Sequence, residues 1–304
     1  MAGSYQLNNM GILDEIKLSY RQGGALTKLI YINIGVFIAI RLLQVFFSFS
    51  SGSGSLMDYP LLNWIAAPAD LGSLLLKPWT VLTYMFVHYD FLHILFNMLY
   101  LYWFGRIFLE FLNPRQLLGV YFLGGLSGVL FYIVSYNLIP IFQGEVPYAL
   151  LMGASGSVMA ILFAIARYAP EHKIYLLFFG GVRLKYIALA ALLLDLISMP
   201  QLQNTGGIIT HLGGAAFGYF YGGSISAGRD VTIGFNRVMD RLAGLFKSRS
   251  KMTVTHRRPM TDMEFNARKA TKQKEVDRIL EKIKASGYDS LSKEEKRILF
   301  DASK

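Results

Sequence analysis

Six apolar stretches, separated by short polar ones, run along most of the chain, at approximately residues 29–49, 91–112, 116–139, 148–169, 184–199 and 208–227. A membrane-crossing helix needs roughly 20 mostly apolar residues. The pattern therefore predicts an all-α polytopic membrane protein with six transmembrane helices. The fifth stretch is short, and the apolar residues Ile174 to Phe179 either extend it or lie in the interface. A long loop, about Ser50 to Asp90, separates the first two spans. It opens on a Ser-Gly run and then carries Tyr59, Trp64, Trp79 and Tyr84, residues that favour the headgroup level. It is expected to lie partly in the interface and pack on the bundle. Beyond Lys251 the pattern becomes charged. Val276, Ile279, Leu280 and Ile283 form a helical stripe within 262–286, Gly287 ends it, and Ser292 with Glu295 gives a capping-box signature before a short helix reaching about Phe300. The expected organisation is a cytosolic N-terminal segment (1–28), a six-span core (29–230), and a basic linker with a small cytosolic helical hairpin (231–304).

Composition supports the membrane assignment. Hydrophobic residues make up 53% and charged ones 16%, against about 25% charged in soluble domains, and the mean hydropathy is +0.39. The absence of cysteine excludes disulfides and thiolate chemistry. No cleavable signal peptide is evident, and the run from about Leu29 reads as a retained anchor. The net charge of +10 is organised by side. Lys17, Arg21 and Lys28 precede the first span. Arg106 and Arg115 flank the turn after the second, Arg167 to Lys185 the loop after the fourth, and Arg229 to Lys251 the segment after the sixth. The intervening loops hold Lys77 alone. Bases mark the cytoplasmic side, so both termini are expected there. The juxtamembrane bases suit anionic lipid headgroups. Tail bases are interleaved with acids, which argues against nucleic acid as a partner.

Polar groups inside hydrocarbon are functional candidates. Ser155 lies in the small-residue run Gly153-Ala154-Ser155-Gly156, about seven residues or ~10 Å into its span. Such a run serves helix packing. Equally, it leaves room for substrate beside a nucleophile, with free N–H groups at a helix start to stabilise an oxyanion. His211 opens the last span, followed by Gly214 and Gly218 at GxxxG spacing. It reads either as an interhelical hydrogen-bonding residue or as the base that a serine requires. His93 and Asn97 share one helix face and suit either interhelical bonding or oxyanion donation. The expected orientation puts all four at comparable depth. His88 reads as interfacial and structural. Asp195 has no evident partner, and Arg41 either snorkels outward or pairs with it. With no carboxylate assigned to the histidine, the reading is a Ser–His dyad. HExxH and paired intramembrane aspartates are absent, so neither a metal nor a cofactor is expected.

These motifs together resemble the rhomboid intramembrane serine proteases, over about residues 20 to 230. The family's GxSG stands as Gly153 to Gly156, its HxxxN as His93 to Asn97 with His88 five residues earlier, and its HxxGxxxG as His211 to Gly218. The resemblance implies that Ser155 is the nucleophile and His211 the base, and that His93, Asn97 and the Ser155 N–H form the oxyanion hole. It also implies cleavage of transmembrane protein substrates near the outer face, in a multi-pass protein of a bacterial inner membrane. The segment Gln201 to Thr210 would be a cap made mobile by Gly206 and Gly207. Met159 stands where many members carry an aromatic that stacks on the histidine. Two other readings are a non-catalytic relative that binds transmembrane helices and a small multi-span transporter. The first is disfavoured because both serine and histidine are present, the second because no internal repeat is seen.

Overall fold

The computed structural model describes residues 12–51, 58–176, 180–199, 204–246 and 261–302. The chain divides into two compact units, Met1–Lys247 and Ser248–Lys304.

The first unit is mostly helical. A short helix α1 (Ile12–Gln22) precedes α2 (Ala25–Ser51). The long loop folds into α3 (Asp58–Ile65), α4 (Leu71–Leu76) and α5 (Thr80–Thr83), with a two-residue strand β1 (Ala67–Pro68) between the first two. Then come α6 (Phe91–Phe111), α7 (Pro114–Leu138), strand β2 (Leu150–Leu151), α8 (Ser155–Tyr168), a hairpin of β3 (Lys173–Leu176) and β4 (Gly180–Arg183), α9 (Leu184–Ser198), α10 (Thr205–Ser226) and α11 (Ile233–Phe246). Among the described residues, Ala25–Phe47 of α2, α6 and α7 are long and apolar enough to cross a membrane, and the chain is a membrane protein. The other expected spans correspond to α8, α9 and α10. The segment Ile174–Phe179 is neither an extension of a span nor a helix where described: Lys173 to Leu176 pairs as a strand with Gly180 to Arg183. The loop's Ser-Gly run lies largely outside the described residues.

Glycine sets how closely the central helices approach. A Cβ on Gly214 would lie 2.0 Å from the Gly156 carbonyl oxygen, on Gly218 2.2 Å from that of Ala160, and on Gly222 2.4 Å from that of Ala164. Three glycines at i, i+4, i+8 of α10 thus rest on three α8 residues at the same spacing, backbone against backbone. Helix α7 closes the other side, where Gly124 faces Ala160 and Gly128 faces Thr210. Its start is fixed by Pro114 at the first helical position and a reciprocal cap between Asn113 and Gln116. Lipid-facing apolar residues remain exposed, as on α2 at Leu42, Val45 and Phe46.

The long loop does pack on the bundle. Tyr84 is fully buried and donates to the Gly125 carbonyl at 2.6 Å. Trp64 and Trp79 stack at 5.9 Å, and Thr83 donates to the Ile65 carbonyl. After α10, Asp230 accepts from Gln116 of α7 and from Thr232, and Phe235 of α11 packs on Phe122.

In the second unit, α12 (Asp262–Ser286) and α13 (Lys293–Ala302) are the two expected helices. Thr261 and Glu264 cap the first reciprocally, and Gly287 ends it at φ 77°. Ile279 is buried but Leu280, expected in the same stripe, is exposed. Ser292 and Glu295 form the second cap. The Glu295 carboxylate is held down to about 2 by the Ser292 N–H and by Lys282.

Candidate active site

Ser155 is not seven residues inside a helix, as the hydropathy pattern suggests, but the first residue of α8. The reason is local. Gly153 has φ +123°, which an L-residue helix cannot accommodate, so Tyr148 to Ala154 does not extend α8 at its N-terminal end. Buried non-helical backbone needs hydrogen-bond partners from elsewhere in the protein, and here the long loop supplies them. Leu151 and Leu150 pair with Ala67 and Pro68. The Ala69 N–H donates to the Ala149 carbonyl, and the Gly153 N–H to the Tyr84 carbonyl at 2.9 Å. The Ala154 N–H donates to His88 Nε2 at 3.4 Å. His88 is buried at 1% exposure, in a structural role, and its ring meets that of His93 edge-on at 5.0 Å. The first loop acts as a clamp that delivers Ser155 to a fixed position.

The start of α8 has no side-chain cap. The first N–H groups of a helix lack intrahelical partners, so those of Ser155, Gly156 and Ser157 are available to a developing negative charge. His93 sits in the first turn of α6, its backbone N–H capped by Asp90. Its Nε2 would lie 2.7 Å from a Cβ on Gly153, so the imidazole occupies the space that glycine vacates beside the serine. Asn97, one turn on and buried, donates through Nδ2 to the His93 carbonyl at 2.9 Å. An amide nitrogen carries two protons, which leaves the second for another acceptor. Gly153→Ala should therefore push His93 away as well as strain the backbone. We expect a loss of about 1–3 kcal/mol in stability, measured by thermal unfolding in detergent.

His211 lies on the second turn of α10. Thr210 beside it packs on Gly156, so the glycine contact between α8 and α10 also brings the histidine's turn alongside the serine's. Ser155, His211, His93, Asn97 and Met159 all line one cavity of about 1230 Å³, bounded by α6, α8, α9 and the start of α10. The sequence leaves Asp195 without a partner, and the structure supplies one: His211 Nδ1 lies 3.0 Å from Asp195 Oδ2. The signal was available. Asp195 ends one span and His211 begins the next, sixteen residues on, so an antiparallel helix pair puts them at one level. Arg41 instead donates to Gln44 and lies over Phe37 and Tyr89. Gly206 and Gly207 are not in a loop but in the first turn of α10. A Cβ on Gly206 would touch Tyr132 and Tyr136, so this position is packed. Residues 201–203 of the expected cap lie outside the described residues. Among the described residues no cluster suits a metal ion.

A helical membrane protein with serine, histidine and amide donors around one cavity defines a class, and comparison with known proteins gives the family. Residues 76–227 match the Rhomboid domain model, which spans half of the chain, and the chain belongs to the rhomboid family. Residues 261–304 match a family of unknown function (DUF6576). RHOMBOID-like protein 12, mitochondrial, of Arabidopsis thaliana is 29% identical over 158 residues, 49% of this chain and 47% of that protein. Presenilin-associated rhomboid-like protein A, mitochondrial, of Danio rerio is 33% identical over 142 residues, 45% of this chain and 34% of that protein. Rhomboid-like protein 16, chloroplastic, of Arabidopsis thaliana is 30% identical over 165 residues, 49% of this chain and 50% of that protein. The chain thus matches between a third and a half of the length of these curated relatives.

Proposed function

We propose that the chain is an intramembrane serine endopeptidase that cleaves transmembrane protein substrates. The observation that carries this reading is the opening of Ser155, at an uncapped helix start, and His211 onto one cavity together with His93 and Asn97. In this reading α2, α6, α7, α8, α9 and α10 are the six spans. The distribution of Lys and Arg puts both termini on the cytoplasmic side and the cavity in the opposite half of the bilayer.

The chemistry follows from the groups present. A carboxylate accepts, so His211 donates Nδ1–H to Asp195 and leaves Nε2 as the base. Nε2 takes the Ser155 Oγ proton as Oγ bonds to the scissile carbonyl carbon. The resulting oxyanion is held by N–H groups at the start of α8 and by side-chain donors from His93 and Asn97. The C–N bond breaks, and the amine leaves with the proton from His211. Water then attacks the acyl ester, giving its proton to His211, and the carboxylic product departs as Ser155 regains its hydrogen. Both products carry a complete set of atoms, and no cofactor enters.

The test is co-expression of wild type or Ser155→Ala with a tagged transmembrane substrate. A fragment produced by wild type and absent with Ser155→Ala supports the reading. Equal cleavage by both removes Ser155 from the chemistry.

A further inference from the structure

We infer that Asp195 is a positioning residue for His211, so that the catalytic unit is a Ser–His–Asp relay of contacts contributed by three helices, α8, α10 and α9. This rests on the reading of Ser155 and His211 above and deepens it.

An acidic side chain in a membrane-crossing segment is costly and requires a reason. Among the described residues, the side chain that the Asp195 carboxylate engages is His211, at 3.0 Å through Nδ1. Both line the cavity that holds Ser155, and their side chains are 19% and 20% exposed. The pair is thus neither freely solvated nor sealed away. The consequence is a choice of tautomer. An imidazole can carry its proton on either nitrogen, and the partner of one nitrogen decides the state of the other. With Asp195 accepting from Nδ1–H, the Nε2 lone pair is free to accept from a hydroxyl. The ring is also fixed against rotation about its Cβ–Cγ bond, and the imidazolium formed during proton transfer has a negative partner already in place. Among the described residues, no other chemistry-bearing group of the site is bonded to Nδ1: the Asn97 amide donates one N–H to the His93 carbonyl, and His88 Nε2 accepts from the Ala154 N–H.

Helix α9 is anchored in the core at its start, by the buried Leu184 and Ala188. Its face around the aspartate is apolar and outward, with Leu193, Leu194, Leu196 and Ile197 all exposed. A polar contact placed there, directed at the cavity, therefore serves the histidine rather than a buried core.

The experiment uses full-length protein purified in detergent, as wild type, Asp195→Asn, Asp195→Glu and Ser155→Ala. Three quantities are measured: kcat and KM on a transmembrane substrate, the rate of covalent labelling of Ser155 by a fluorophosphonate, and the thermal midpoint. Asp195→Asn is expected to lower kcat by about 10²–10³, less than the ~10⁴ typical of a buried triad acid because water reaches this pair. KM should stay within about twofold, the labelling rate should fall in parallel with kcat, and the midpoint should match wild type. Asp195→Glu should restore part of the loss. Full kcat and labelling in Asp195→Asn overturn the inference. So does a gain in activity, or a loss that appears only as a lower midpoint or a raised KM. Failure of the underlying reading looks different: Ser155→Ala would then cleave like wild type, or wild type would take no label.

Discussion

Removing the imidazole at position 211 is expected to reduce cleavage by about 10⁶-fold in kcat, as removal of one member of a catalytic pair does elsewhere, with KM nearly unchanged. The Ser155 hydroxyl stays protonated near neutral pH and is a poor nucleophile unless a base takes its proton during attack. Among the charged or imidazole groups that line the cavity, His211 is the one whose Nε2 is left free by a bond at its other nitrogen. In His211→Ala the N–H groups at the start of α8 remain, so substrate carbonyls should still bind. A double variant, Ser155→Ala with His211→Ala, should be no slower than either single one, because the two act as a unit. The measurement is single-turnover cleavage by protein whose thermal midpoint has been compared with wild type. Retention of more than about 1% of activity by His211→Ala would remove it from the base role.

Much of this could be read before the fold was known, and the reason is physical. Hydrocarbon suppresses polar groups so strongly that those which remain stand out, and Ser155, His211, His93 and Asn97 were visible for that reason. The same solvent argument marked the helices. It failed at Tyr148 to Ala154, because an apolar run says that a segment is buried and not that it is helical. What keeps that segment out of the helix is a single glycine at φ +123° together with backbone partners at Ala67, Ala69 and Tyr84 and the side chain of His88. Those partners are 66 to 84 residues distant in the chain, and no local pattern announces them. Gly206 and Gly207 misled for the opposite reason. Glycine permits a mobile loop, but it also permits contact, and Gly206 makes room for Tyr132 and Tyr136. Asp195 lay between these cases: its level in the membrane was computable, whereas the side of the helix from which it approaches His211 was not.

The contact between α8 and α10 gives the second large effect. Gly214→Ala is expected to cost about 3 kcal/mol in stability and about 10²–10³ in kcat, even though residue 214 does not line the cavity. An alanine Cβ there would stand 2.0 Å from the Gly156 carbonyl oxygen. Backbone lies on both sides of that contact, so no flexible side chain can yield and the two helices must separate. Gly156 is adjacent to Ser155, and Gly214 is one turn below His211. The displacement therefore falls on the very turns that carry the proposed nucleophile and base, and a misplacement of ~1 Å can cost 10²-fold. Glycine at 218 and 222 makes the same kind of contact farther along both helices. Gly222→Ala should consequently share the loss of thermal midpoint while sparing more of the activity. Measuring midpoint and kcat for the alanine variants at 214, 218 and 222 separates the two effects. Stability should fall at all three positions, and kcat should recover with distance from the serine. Equal kcat losses at 214 and 222 would show that the glycine seam supports only the fold, and that Ser155 and His211 are held in register by something else.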